Sequence, residues 1–212
     1  MTPNRPDDSL LDILLQAVGA LATGHGDLAN AKATELAVDL PVERSRVPIT
    51  PRLAARVMQS DFFRCRYCGT RIIPAAVLRA ASLVWPDELP YHVHWKASAT
   101  HPLYLSHAGS IDHIEPHSRG GDTESLTNLA TACWGCNVQK GDLSLARLGW
   151  QLQPQVPSDW DGLVGYYPAI WKVAQSKATE DDARFHLKWL GAFRWAASNS
   201  SENGTAQHAR DA

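Results

Sequence analysis

The chain has 212 residues, of which 44% are apolar and 20% charged. That suffices for one ordinary domain with extensions and excludes a disordered chain. The net charge of -2 and pI near 6.5 do not mark the whole molecule for nucleic acid, but the charge is uneven. Residues 44–79 hold Arg44, Arg46, Arg52, Arg56, Arg64, Arg66, Arg71 and Arg79 against a single acid, Asp61. Such a basic stretch can seat a phosphate backbone even in an acidic protein.

The first apolar run, Leu10 to Leu21, follows Asp7 and Asp8, where a secretory leader carries positive charge. It is also too short to span a membrane. Asp12, Gln16, Gly19 and Thr23 draw a narrow polar stripe along it, so it reads as a helix over 9–22 that ends at Gly24. The expectation is a cytoplasmic protein without a membrane segment. Asp27 is the expected N-cap of a second helix over 27–39, which stops before Pro41. The wide apolar face of the first helix has to pack on the core or on a second copy in a homodimer. Residues 1–48 therefore read as a helical extension and linker.

Thr50-Pro51 opens a helix to Ser60, a cap followed by proline in the first turn. Cys65-Arg66-Tyr67-Cys68-Gly69 reads as a tight turn and 74–84 as a helix. Residues 85–110 are rich in Trp, His, Pro and Tyr without clean periodicity. They read as part of an ordered insertion, about 69–110, within a core over 49–150. Short strands are expected at 110–115 and 128–132, a turn at 119–122 and a helix at 134–140. Further helices are expected at 143–148, 160–177 and 179–197, with 151–197 packed on the core. Residues 198–212 read as a disordered tail.

All four cysteines fall in two Cys-x-x-Cys pairs, Cys65/Cys68 and Cys133/Cys136. Two such knuckles can close one tetrahedral zinc site, and in a reducing cytosol this outweighs a disulfide framework. Four sulfurs leave no open position for water, so this metal staples the fold and is not the reaction centre. His92, His94, His101 and His107 are too irregularly spaced to suggest a second metal site. Trp95 and Trp134 read as packing residues.

Between the knuckles runs Asp112-His113-Ile114-Glu115-Pro116-His117-Ser118-Arg119-Gly120-Gly121, then Asn128, Asn137 and Lys140. Phosphodiester hydrolysis needs a base for water and a cation for the developing charge. Imidazole suits the first role, so His113 is the candidate base. Asp112 and Asn137 offer hard oxygens for Mg²⁺ or Mn²⁺. Lys140 lies three residues after Asn137 on the same helix face and could hold a phosphate. His117 and Arg119 are further candidate substrate contacts. Neighbouring strand residues point to opposite faces, so Asp112 and His113 are expected at a strand end or bulge, or flanking the phosphate from two directions.

The order Cys65-x-x-Cys68, Asp112-His113, Gly120-Gly121, Asn128-Leu129, Cys133-x-x-Cys136-Asn137-x-x-Lys140 resembles the zinc-containing HNH endonucleases over about residues 50–145. The resemblance implies an α+β, mostly α fold: a ββα-metal (His-Me finger) core with a structural zinc and flanking helices. It implies cleavage of DNA phosphodiester bonds with a divalent ion. It aligns His113 with the general base, Asp112 and Asn137 with the metal ligands, and Asn128 with the central asparagine that holds the loop and the histidine. Asn137 stands where the name-giving pattern has histidine, and it keeps an oxygen ligand. The insertion is longer than in minimal members. Its segments 91–96 and 100–104 resemble a bacterial HNH subgroup. The competing readings are a non-catalytic zinc-stapled nucleic-acid-binding module and an RNA-directed nuclease or toxin.

Overall fold

A computed structural model describes residues 9–36 and 48–208, with side chains over 12–36 and 48–199. The chain divides into two compact units, Met1–Val42 and Glu43–Ala212.

In the first unit, α1 (Ser9–Ala22) and α2 (Gly26–Thr34) form a helical hairpin. The chain reverses at Gly24, whose φ of +78° suits a residue without a Cβ. Ala17 and Ala29 are buried, whereas Leu14, Leu15, Val18, Leu21 and Leu28 stay exposed. α2 starts one residue before the expected cap Asp27: His25 takes the cap position and makes no side-chain cap. The helix ends at Thr34, and positions 37–39 of the expected run lie outside the described residues.

The second unit is built on a three-stranded sheet of order β1-β2-β3. β2 (Ala108–His113) and β3 (Leu129–Cys133) are antiparallel, in register from Gly109 opposite Cys133 to His113 opposite Leu129. β1 is the short pair Ile73–Pro74, parallel to β2 on its other edge. β3 is buried along its length. Its outer edge is paired by other means: Arg66 N donates to Thr131 O at 2.8 Å, and Thr131 N donates to the buried Asp61 Oδ2 at 2.8 Å. An edge strand covered in this way offers no template to another chain. α6 (Trp134–Lys140) leaves β3 directly.

Helices enclose this sheet. α3 (Pro51–Ser60) is capped by Thr50 Oγ1, which accepts from Leu53 N at 3.3 Å. It buries Ala54, Ala55, Val57 and Met58 and packs on α9 (Glu180–His208) and on β2 and β3. α4 (Ala75–Val84) packs on α8 (Tyr167–Ala174). One core joins Met58, Phe63, Val77, Tyr104, Tyr167 and Phe193. α5 (Pro102–His107) and α7 (Leu145–Leu148) complete the helices of the described residues. The fold is α+β and mostly α.

Four differences from the sequence reading are informative. The sheet gains β1, because Ile73 and Pro74 pair with Ala108 and Gly109 before α4 begins. Residues 85–110 are not wholly irregular: Pro102 and the His101 cap start α5, and β2 follows it without a gap. Its six residues are too few to show a 3.6-residue period. Over 160–177 only α8 is α-helical, flanked by 3₁₀ turns at Val164–Tyr166 and Gln175–Lys177. α9 continues through polar positions to His208 rather than ending at 197. No proline interrupts that stretch, and a helix without an apolar stripe leaves no periodic signal.

Candidate functional site

The two knuckles meet. The four sulfurs of Cys65, Cys68, Cys133 and Cys136 lie within 4.8 Å of one another, with Cys68 Sγ and Cys133 Sγ 3.8 Å apart. Sulfurs about 2.3 Å from a tetrahedral zinc are spaced by about 3.8 Å, so the donor set fits that ion. The electrostatics agree. Cys65 is drawn down to about 5, chiefly by the Cys133 thiol donating to it, against its burial. Cys133 is pushed up by that same bond and by burial. Cys136 is pushed up to about 12, first by burial and then by the charge on Cys65. The charge on Cys65 disfavours charge on Cys133 and Cys136, a conflict that a divalent cation among them removes.

In the 114–128 loop, the Asn128 side chain ties together both ends of the segment. Asn128 Oδ1 accepts from Glu115 N at 2.8 Å. Its Nδ2 donates to Glu115 O at 3.0 Å and to Asp122 O at 2.7 Å. Asp122 Oδ1 in turn accepts from Glu124 N and Ser125 N, each at 2.8 Å, which holds its carboxyl below the usual range. Gly121 lies where any Cβ would overlap the Glu115 carbonyl oxygen.

This loop orients His113, whose Nε2 is 3.2 Å from Thr123 O. A carbonyl only accepts, so Nε2 is the donor, and the tautomer that this bond selects has its lone pair at Nδ1. His113 is the last residue of β2 and its register is regular to that end. No bulge reconciles it with Asp112: the pair leaves the strand on opposite faces, at its terminus.

Asp112 is buried at 9% exposure. Its Oδ2 accepts the Tyr67 hydroxyl at 2.5 Å and lies 3.0 Å from Lys140 Nζ. Burial, then the Asp112 carboxylate, push the Tyr67 phenol well above its ordinary value, so Tyr67 stays a donor. Lys140 has no exposed side-chain surface and also donates to His113 O at 2.7 Å. Asn137 Nδ2 donates to Ser110 Oγ at 2.8 Å, and that hydroxyl donates to Ala132 O at 3.2 Å. The amide is thereby oriented with Oδ1 away from Ser110. Ser110 and Asp112 share one face of β2, and α6 lays Asn137 over the first and Lys140 over the second.

Some expected contacts fall elsewhere. The Lys140 ammonium faces Asp112 and the His113 carbonyl instead of solvent, because the buried carboxylate needs a counter-charge. Arg119 Nε donates to Asp142 O at 2.7 Å. His117 lies on the loop, its Nδ1 buried and without a hydrogen-bond partner among the described residues. Of the basic stretch, Arg66 pairs with buried Asp61 at 2.9 Å and Arg79 with Asp182 at 2.6 Å, so both are committed to the fold. Arg44 and Arg46 lie outside the described residues. The sequence reading missed Tyr67, Ser110 and the Thr123 carbonyl. Only Tyr67 carried a signal: it sits inside a knuckle.

Residues 104–143 match the family model of HNH endonucleases. The matched segment is about a fifth of the chain and contains Asp112, His113, Asn128, Asn137, Lys140 and the second knuckle. Comparison with curated proteins and with solved structures finds no match. Among the described residues, no helix is long and apolar enough to cross a membrane.

Proposed function

We propose that the chain is a divalent-metal-dependent HNH endonuclease that hydrolyses DNA phosphodiester bonds, with a structural zinc on Cys65, Cys68, Cys133 and Cys136. The observation that carries this reading is the hydrogen bond from His113 Nε2 to Thr123 O. It presents Nδ1 as an acceptor, the state a general base needs. His113 removes a proton from water through that atom. Asn128 keeps the loop, and with it the Thr123 carbonyl, in place. Asp112 and Asn137 are the oxygen donors for the catalytic ion, Mg²⁺ or Mn²⁺. Asp112 Oδ2 is taken by Tyr67 and Lys140, which leaves Oδ1 and the Asn137 Oδ1 as hard ligands. The ion would supply charge neutralisation at the phosphate and the leaving oxygen. Lys140 acts through Asp112 and the His113 carbonyl, while His117 and Arg119, on the loop, remain the candidate substrate contacts. In this reading residues 49–150 form the nuclease core and the protein works in the cytoplasm.

Nicking of supercoiled plasmid in Mg²⁺ or Mn²⁺ tests the reading. Wild type is expected to cut and His113→Ala to lose at least about a hundredfold in rate, the usual scale of general-base catalysis. Identical behaviour of the two proteins sinks the enzyme and favours a non-catalytic binding module. Parallel digestion of RNA separates the two substrates. The exposed α1 residues Leu14, Leu15, Val18 and Leu21 suit a homodimer, and light scattering reads its mass.

A further inference from the structure

A cleft of about 710 Å³ opens between α3, α9 and residues 158–161, within the roughly 300–1,000 Å³ of ligand sites. Its walls carry Arg56, Gln59, Phe62, Leu126, Trp160 and Trp195. Nothing in the catalytic reading uses it. We propose that this cleft binds one unpaired nucleotide of the substrate strand, its base stacked on the aromatic wall and its phosphate on Arg56. The proposal rests on the nuclease reading for the identity of the strand and on the cleft's own chemistry for the rest.

Three observations support it. First, the aromatic faces are held in place. Trp160 Nε1 donates to Ile72 O at 2.9 Å, and Arg71 lies over its ring at 5.1 Å. Trp195 has Arg52 over its ring at 5.8 Å. Phe62 and Phe63 follow α3 with φ of +52° and +51°, a conformation that bulky residues avoid. Phe63 turns into the core, and Phe62 is left half-buried in the cleft wall. Fixed aromatic faces are the platforms on which unstacked bases bind, and a paired base in a duplex cannot present its face to them.

Second, the cleft is bipolar. Arg56 on the α3 wall is exposed and has no ion-pair partner among the described residues. The 158–161 segment of the lining carries exposed Asp159 and Asp161. Each Asp161 oxygen already accepts one backbone hydrogen, from Leu163 N and Gly165 N at 2.8 Å each, whereas the Asp159 carboxylate has no hydrogen-bond partner among the described residues. A cation, carboxylates and aromatic rings lining one cleft suit an anionic phosphate joined to a flat ring with N–H donors. It does not suit a duplex backbone, whose phosphates would meet the acids.

Third, the cleft shares a residue with the loop of the proposed active site. Leu126 lies between Thr123, whose carbonyl orients His113, and Asn128, which clamps the loop. A strand bound at His113 therefore has this loop, and through Leu126 the cleft, as its neighbour in the chain.

Fluorescence anisotropy with no added divalent cation tests this without requiring cleavage. The probes are a short fluorescein-labelled single-stranded oligodeoxynucleotide and its blunt duplex. Phe62→Gly removes the aromatic face and relieves the left-handed strain at once, so the fold is preserved. Arg56→Ala removes the cation from an exposed helix position. Both variants are expected to weaken single-strand binding by about tenfold and to leave duplex binding within about twofold. Unchanged single-strand binding in Phe62→Gly, or equal weakening on both probes, overturns the proposal. If wild type nicks plasmid while Phe62→Gly binds the single strand normally, the cleft proposal fails alone. If binding depends on Phe62 but no protein cuts, the nuclease reading fails alone.

Discussion

The Tyr67 hydroxyl donates to Asp112 Oδ2 across 2.5 Å, and this bond joins the two halves of the site. Tyr67 stands between Cys65 and Cys68, so the side chain at the tip of the first knuckle reaches the carboxylate proposed to hold the catalytic ion. Lys140, four residues after Cys136 of the second knuckle, reaches the same oxygen at 3.0 Å. One residue beside each pair of cysteines therefore ends on Asp112, so the same carboxylate oxygen is held from both knuckles.

Tyr67→Phe deletes only the hydroxyl. The ring still packs on Trp150 at 5.6 Å. A buried hydrogen bond to a charged acceptor contributes about 2 kcal/mol, and a urea titration is expected to show a loss of that order. Zinc content should stay at wild-type level, while the Mn²⁺ concentration that half-saturates cleavage should rise several-fold as Asp112 loses one of its two anchors. Calorimetric titration of Mn²⁺ reads the same change without turnover. Unchanged Mn²⁺ affinity would show that Tyr67 serves packing alone.

Cys65→Ser tests the cluster itself. Structural zinc contributes on the order of 10 kcal/mol to folding in small zinc modules, comparable with the whole stability of an ordinary domain, about 5–15 kcal/mol. Purified wild type is expected to carry one zinc per chain by elemental analysis. The serine variant should lose it together with most of its helical circular dichroism at neutral pH. A folded, zinc-free wild-type protein contradicts the assignment.

Gly121→Ala addresses the loop. The new Cβ would meet the Glu115 carbonyl and crowd Asn128 Nδ2, and backbone cannot yield as a flexible side-chain tip can. The expected result is faster amide exchange at Glu115, whose N–H is held by Asn128 Oδ1. Cleavage should fall about tenfold or more as Thr123 releases His113. Global stability should change little, because the loop lies at the surface and contributes few core residues. A large drop in melting temperature with cleavage intact would contradict this account.

The knuckles, the Asp112-His113 pair, Asn128 and Asn137 were readable because each is a chemically distinctive side chain at a short, regular spacing. The ββα order was readable because its two main strands and helix follow one another with a short loop between. The partners were not. Lys140 was visible on the Asn137 face of α6, but nothing local says that a buried carboxylate lies opposite. Arg66 and Arg79 looked like free cations because Asp182 is 103 residues beyond Arg79 and Asp61 acts through a turn. α5 is too short to declare a period, and β1 is two residues long. Tertiary pairing decides such elements, and local pattern does not report it.

The acid limb of stability should be set in part by His186, far from the proposed chemistry. This side chain is fully buried, stacks on Trp171 at 4.5 Å and meets the Tyr167 hydroxyl through Nδ1 at 2.7 Å. Its Nε2 has no partner among the described residues. Burial, and then the charge of Arg79, draw it down from 6.5 to about 4. Because the folded value lies below the unfolded one, the unfolded chain binds the extra proton first. The contribution is complete above about pH 6.5 and is lost as pH falls toward about 4. At about 1.4 kcal/mol per pH unit over that window, the loss is on the order of 3 kcal/mol. Asp182 extends the trend to lower pH: burial pushes its carboxyl up, but hydrogen bonds from Thr179 and Arg79 outweigh that and hold it below its usual range. His186→Phe keeps a ring against Trp171 and removes the titrating group. It forfeits the Tyr167 hydrogen bond, a cost of about 1 kcal/mol that does not vary with pH. Urea midpoints measured between pH 7 and pH 4 should therefore fall less steeply for His186→Phe than for wild type, with the two curves converging or crossing at the acid end. Parallel curves across that range would show that His186 is not the group whose protonation limits the fold.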